Sequence, residues 1–170
     1  IDEPEADRPT TSMVFQEQGV FPWKTVLENV AFGLKMRDVP GDRRQRVAKE
    51  YIEKVGLEGF EGAYPHQLSG GMKQRVGIAR AFANDPEILL LDEPFADLDA
   101  QTKRHLQREL VTLWRERPKT VVYVTHDIRE AVRLGDRLAV MTDRPGTVAE
   151  LVDIDLDRPR IRENIDHGIF

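Results

Sequence analysis

Two apolar runs of strand length, Glu87–Asp92 (EILLLD) and Thr120–Thr125 (TVVYVT), bracket the stretch Ala100–Arg117, in which Leu106, Leu110, Leu113 and Trp114 recur at helical spacing. A continuous apolar run suits a strand buried on both faces, and such strands joined through a helix build a parallel sheet. The order strand, helix, strand therefore places Asp85–Asp153 in an α/β sheet region. That region continues with a helix at Ile128–Leu134 and two strands, Asp136–Thr142 and Thr147–Asp153, turned at Arg144-Pro145-Gly146. A short candidate strand, Ser12–Phe15, lies well upstream. The segment between it and Glu87 carries helical patterns only: Thr25–Met36; Asp42–Val55, with Val47, Tyr51, Ile52 and Val55 on one face; and Gly70–Ala83 behind Ser69 as an N-cap. A helical insert thus interrupts a mostly parallel sheet.

Composition narrows the classes of function. The 170 residues correspond to about one domain. With 40 % hydrophobic and 32 % charged residues and no apolar run longer than four, no segment reads as a membrane-spanning helix. A net charge of −5 argues against a general polyanion binder, and no nucleic-acid partner is expected. The basic cluster Arg43, Arg44, Arg46 and Lys49 is interleaved with Asp38, Asp42, Glu50 and Glu53, the pattern of a solvated helix face. There is no cysteine, so disulfides and thiolate metal sites are excluded. Ile1–Thr11 lacks the features of a signal or transit peptide and reads as a polar loop entered from something upstream; Arg158–Phe170 is similarly polar.

Four places carry chemistry. The run Ile88-Leu89-Leu90-Leu91 leads straight into Asp92-Glu93-Pro94, which puts two carboxylates at the carboxyl end of a buried strand, where open α/β sheets bind ligands. One carboxylate there suits Mg²⁺ and the next suits orienting and deprotonating an attacking water, although a charged turn would read the same way. In Leu68–Arg75 (LSGGMKQR), two glycines at a helix start expose free N–H groups beside the Ser69 hydroxyl, an anion site or an ordinary glycine turn. His126 follows the strand Thr120–Thr125, and if that strand is a parallel neighbour of Glu87–Asp92 it reaches the same edge. Gln16 leaves Ser12–Phe15 just before an exposed-looking aromatic loop, Phe21-Pro22-Trp23. Of the other histidines, His66, His105 and His167 lack a setting like that of His126, and no metal-ligand spacing occurs among them.

Together, in order and spacing, these segments resemble the ATP-binding subunit of ABC transporters. Val14-Phe15-Gln16 looks like the Q-loop, LSGGMKQR the signature, Ile88–Pro94 (ILLLDEP) the Walker B motif, Ala96–Asp99 (ADLD) the D-loop and His126 the switch histidine. FPWKTVLENVAFGL at Phe21–Leu34 and RPGTVAE at Arg144–Glu150 look like the branch importing nitrate, sulfonate, taurine and bicarbonate. The resemblance implies a P-loop NTPase-type α/β fold with an inserted α-helical subdomain. It divides the chain into a core end with Q-loop (1–24), the helical subdomain (25–84), a catalytic core (85–153) and a tail (154–170).

The resemblance also implies roles. Asp92 and Gln16 would hold Mg²⁺, Glu93 would polarise the attacking water, and His126 would bridge Glu93 and the γ-phosphate of ATP. Ser69, Gly70, Gly71 and Gln74 would act on the ATP of the other copy in a head-to-tail homodimer, with Asp99 at that interface. Phe21 and Trp23 would meet a membrane permease, served in turn by an extracytoplasmic binding protein, and the subunit would sit on the cytoplasmic face of a bacterial membrane. Asp97 departs from the small residue usual in the D-loop.

A larger departure is that G-x-x-x-x-G-K-[ST] occurs nowhere in the 170 residues. The family places that phosphate-binding loop and the adenine-stacking aromatic upstream of the Q-loop, so the chain reads as a subunit lacking its N-terminal strands and Walker A loop. The expectations are negligible hydrolysis by the chain alone and apolar surface exposed along an incomplete sheet. Two other readings are a non-catalytic docking module that completes a partner's site through Ser69–Gly71, and a non-transport ABC ATPase. DNA-repair relatives carry a long coiled-coil insertion between Gln16 and Leu68, which this chain lacks.

Overall fold

The computed structural model describes residues 8–16, 19–158 and 160. The chain divides into two compact units, Ile1–Val124 and Thr125–Phe170. In the first, strands β1 (Thr11–Val14), β2 (Ile88–Asp92) and β3 (Thr120–Val124) form a parallel sheet in the order β1-β2-β3. Val14 pairs with Leu91 and Leu91 with Tyr123, so the three strands end together.

Helices α1 (Val26–Val30), α2 (Phe32–Met36), α3 (Gly41–Lys54) and α4 (Gly70–Ala83) fill the interval between β1 and β2, and α5 (Ala100–Glu116) joins β2 to β3. The amphipathic stripes explain their packing: α3 buries Ala48, Tyr51 and Ile52, and α5 buries Leu106, Leu110 and Leu113. With Val76, Ile78 and Phe82 of α4 and Leu89 and Leu91 of β2 they form one core. The helix expected over Thr25–Met36 is broken: Ala31, at ψ −7°, ends α1 and starts α2. The second piece seats Gly33 against Asn84, where a Cβ would lie 2.6 Å from the Asn84 Oδ1, so the weak helix former is the residue that fits.

The expectation that the β3 run is buried on both faces is corrected. Val121 and Tyr123 pack against the core, whereas Val122 and Val124 are 49 % and 50 % exposed. Met13, in register with Leu90 and Val122, is exposed on the same face. A continuous apolar run signals only that both faces are apolar, not that both are covered.

The amino ends of the three strands are tied by charge. Asp85, just before β2, accepts from Arg8 (2.7 Å) ahead of β1 and from Lys119 (2.9 Å) ahead of β3, with Arg117 at 3.6 Å. The Lys119 side chain is only 3 % exposed and its ammonium lies over the Phe82 ring. Burial pushes the Asp85 carboxyl up, but the hydrogen bonds from Lys119 and Arg8 outweigh it and hold the group below its usual value.

The second unit contains α6 (Ile128–Leu134) and the antiparallel hairpin of β4 (Arg137–Met141) and β5 (Val148–Asp153). Thr142 and Thr147 bond across its turn. The buried Arg160 guanidinium donates to the carbonyls of Val132, Gly135, Ile154 and Leu156, and so satisfies the carboxyl end of α6. Residues 1–7, 159 and 161–170, and with them most of the two polar ends, lie outside the described residues.

Candidate functional site

The carboxyl edge of the sheet gathers three of the candidates. Gln16, two residues past β1, is exposed; Asp92, the last residue of β2, and Glu93 after it are half-buried. Adjacent strands in matched register put them at one edge, because Val14, Leu91 and Tyr123 lie side by side. Glu93 has φ of 40°, a left-handed conformation costing a non-glycine residue about 1–2 kcal/mol. Its N–H donates to the Val124 carbonyl (3.0 Å) and its carbonyl accepts from Ala96 (3.1 Å), bonds that hold the strained residue in place. This left-handed residue ends the strand's regular alternation immediately after Asp92.

Two helix N-termini stand side by side in the same unit. Ser69 caps α4, its Oγ accepting from Met72 N–H (3.3 Å), while the Gly70 and Gly71 N–H groups, in the first turn, have no acceptor within the helix. Asp99 caps α5, accepting from the N–H groups of Gln101 (3.0 Å) and Thr102 (3.1 Å). Hydrogen bonds with Thr102, ahead of other causes, lower the Asp99 carboxyl below its usual value. The helices meet where a Cβ on Gly71 would lie 3.3 Å from the Thr102 methyl, so a glycine is what lets the two starts approach. Gln74 is only 2 % exposed on the inner side of α4. It packs in the helix layer and presents no surface to an outside ligand, unlike Ser69 and Gly70, which are exposed.

The loop before α1 is built rather than loose. Asn29, fully buried, accepts from Phe21 N–H (2.8 Å) and donates to the carbonyls of Phe21 (3.2 Å), Lys24 (3.0 Å) and Thr25 (2.9 Å). Thr25 and Glu28 close a reciprocal capping box on α1. The Phe21 ring lies tilted against those of Phe32 (4.6 Å) and Trp23 (5.8 Å), and Trp23 stands 70 % exposed. Sequence reasoning passed over Asn29, although a polar residue among Val26, Val30 and Leu34 on one apolar stripe is a signal for a buried hydrogen-bonding role.

In the second unit His126 is exposed within a tight turn. Thr125 Oγ1 donates to the buried Glu130 (2.6 Å) and accepts from Asp127 N–H (3.1 Å), while Asp127 caps α6 through Arg129 and Glu130 N–H. This network fixes the backbone on both sides of the imidazole.

Among the described residues no group of three or more His, Cys, Asp or Glu could hold a metal ion. Asp92 with Gln16 is nevertheless a donor pair that fits Mg²⁺, which takes one or two protein oxygens and fills its octahedron with phosphate and water. Among the described residues no helix is long and apolar enough to cross a membrane.

Comparisons with known proteins bear on the family and the fold. A family model described as ABC transporter matches residues 2–96. An uncharacterised ABC transporter ATP-binding protein of Methanocaldococcus jannaschii is 57 % identical over 163 residues, 96 % of this chain and 60 % of its own length. The taurine import ATP-binding protein TauB of Rhizobium johnstonii is 48 % identical, covering 93 % of this chain and 59 % of its own. The aliphatic sulfonates import ATP-binding protein SsuB of Bacillus licheniformis is 50 % identical, covering 88 % and 57 %. A solved ATP-binding cassette, dimeric and in a post-hydrolysis state with ADP and Pi, superposes at a TM-score of 0.74 with 40 % identity, over 86 % of this chain and 64 % of that one. The chain thus spans about 60 % of the length of the curated relatives it matches. On the family model, the relatives and the fold together, the chain belongs to the ABC transporter ATP-binding family.

Proposed function

We propose that the whole protein binds and hydrolyses ATP and drives an importer of small anions such as taurine, sulfonates or nitrate. The observation that carries the catalytic part is the convergence of Gln16, Asp92 and the strained Glu93 at one sheet edge. Asp92 and Gln16 are the residues that would hold Mg²⁺, which when bound neutralises charge developing on the phosphates. Glu93 orients the attacking water and takes its proton, and His126 donates a hydrogen bond to the terminal phosphate.

The hydroxyl of Ser69 and the N–H groups of Gly70 and Gly71 serve a nucleotide held by a second copy in a head-to-tail dimer, with Asp99 fixing the neighbouring helix start. Gln74 joins them as a buried positioning residue. The exposed Trp23 on its stiff loop, with Phe21, would be the face for a membrane permease, and the subunit would then work at the cytoplasmic side of the membrane, a reading supported by the similarity to TauB and SsuB. The import branch rests on the similarity to TauB and SsuB.

The chain by itself carries no G-x-x-x-x-G-K-[ST] loop and is expected to bind Mg-ATP weakly with negligible turnover. In the full-length protein, Glu93→Gln removes the proton acceptor while preserving shape and backbone strain. Turnover should fall at least about 100-fold with ATP affinity retained. Wild-type turnover in the variant overturns the assignment of the base. Absence of turnover in the full-length wild-type protein favours the alternative of a docking module that only completes a partner's site.

A further inference from the structure

The aromatic loop has two anchors, on different helices. The first is Asn29 of α1, which holds the loop backbone from Phe21 to Thr25. The second is Arg80 of α4, whose Nη2 donates to the Gly19 carbonyl (2.9 Å) and whose guanidinium lies 5.1 Å from the centre of the Phe21 ring. The planar guanidinium does both at once, as a hydrogen-bond donor through one nitrogen and as a cation over an aromatic face. Burial pulls the Arg80 pKa down, although the group stays charged at neutral pH.

Only one of these anchors leads to the helix start that carries Ser69, Gly70 and Gly71. From Gly70 to Arg80 the helix runs unbroken, and Gln74, Val76, Gly77, Ile78 and Ala79 in that span are buried. A helix so embedded moves as a rod rather than bending, so displacement at Arg80 reaches its first turn. At that turn Gly71 abuts Thr102 of α5, leaving little slack between the two helix starts. Asn29, by contrast, sits on a five-residue helix that ends at the Ala31 break.

We propose that Arg80 is a positioning residue that couples the Phe21–Trp23 loop to the N-terminus of α4, so that a partner seated on the loop sets where Ser69, Gly70 and Gly71 lie. The coupling is a property of this chain; its consequence for nucleotide turnover rests on the function proposed above. Three features carry it: a direct bond from α4 to the loop backbone, a cation over the ring beside the exposed tryptophan, and a rigid helix between that contact and the first turn with its exposed Gly70 and half-buried Gly71.

The chain-level test is an NMR double-mutant comparison. Phe21→Leu, which keeps the loop apolar but removes the ring under the guanidinium, is expected to shift the Gly70, Gly71 and Met72 amide resonances. In an Arg80→Ala background the same substitution should shift them at least threefold less. Arg80→Lys, which keeps the charge without the planar fork, should fall between, and it keeps the comparison available if the alanine variant does not fold. Equal Phe21→Leu shifts with and without Arg80, or none in the wild type, overturn the coupling.

The functional arm uses the full-length protein with its membrane subunits. Arg80→Lys should reduce the stimulation by the membrane subunits at least fivefold, measured as the ratio to the variant's own partner-free turnover. Parallel loss of basal turnover and melting temperature with an unchanged stimulation ratio overturns the proposal in favour of a purely structural role. If the wild type shows no turnover at all, the ATPase reading has failed while the amide shifts still decide the coupling.

Discussion

The two edges of the same three-stranded sheet are built on opposite principles. At the amino edge, Asp85 gathers Arg8, Lys119 and Arg117 into a charge network, and Lys119 is almost wholly buried in it. At the carboxyl edge Gln16 is exposed, Asp92 and Glu93 are half-buried, and Glu93 is held at φ of 40°. One edge is held by an almost wholly buried ammonium within a charge network, and the other leaves its side chains half-buried or exposed on a strained backbone. Since each strand runs from the first edge to the second, a rigid tie at the bottom fixes the register that aligns the groups at the top. Substitutions at the amino edge should therefore change stability, and those at the carboxyl edge should change function with little loss, or even a gain, of stability.

The largest stability effect is expected from Asp85→Asn. Asparagine tolerates the left-handed backbone of this position (φ of 49°) but leaves the Lys119 ammonium buried without a counter-charge. Stripping one partner from a buried pair costs about 3–5 kcal/mol, and the partial exposure of Asp85 reduces this to about 2–3 kcal/mol. Urea unfolding of the chain measures it; a loss under about 0.5 kcal/mol breaks the contrast between the edges. The acid limb gives an independent check. The folded-state pKa of Asp85 lies below its unfolded value, so its contribution is complete above the ordinary aspartate pKa of about 3.9 and is lost as pH falls through the folded value. Asp85→Asn should flatten that part of the stability profile.

This contrast also marks what could be read from the chain directly. β2, β3, α5 and α6 follow from apolar runs and periodicity, and each lies within a residue or so of its expected span. Asp92 and Glu93 were legible together at the end of one apolar run, whereas only the family resemblance joined Gln16 to them; the parallel register puts the ends of β1 and β2 at one edge. The charge network was not legible, because Arg8, Asp85 and Lys119 are far apart in sequence and only the sheet brings them together. Nor was the left-handed turn at Glu93, which nothing in the letters Asp-Glu-Pro demands, nor the burial of Gln74, which sits beside exposed signature residues but on the inner side of α4.

A smaller effect of opposite sign is expected at the carboxyl edge. Glu93→Gly removes the side chain that makes the left-handed backbone costly, with glycine's entropy in the unfolded chain offsetting part of the gain. The net result is stabilisation of up to about 1 kcal/mol in the chain, with turnover abolished in the full-length protein. Destabilisation by more than about 1 kcal/mol would mean that the Glu93 side chain supports the fold, and the two edges would no longer differ in kind.

At the two helix starts, caps and proposed ligand contacts use the same atoms, so the expected effects are smaller still. Asp99→Ala removes two accepted hydrogen bonds and should lower the urea midpoint of the chain slightly. Ser69→Ala removes a single, longer cap bond of 3.3 Å and should cost about 0.5 kcal/mol. Ser69→Gly tolerates the cap position nearly as well as serine, so it separates the two roles: stability within a few tenths of a kcal/mol of wild type, but no hydroxyl proton to offer an anion. In the full-length protein, near-normal stability of Ser69→Gly together with a turnover loss of at least about tenfold would place this helix start with the carboxyl edge. Parallel and equally small losses in both would class Ser69 as a cap and nothing more, leaving Gly70 and Gly71 to carry the anion contact alone.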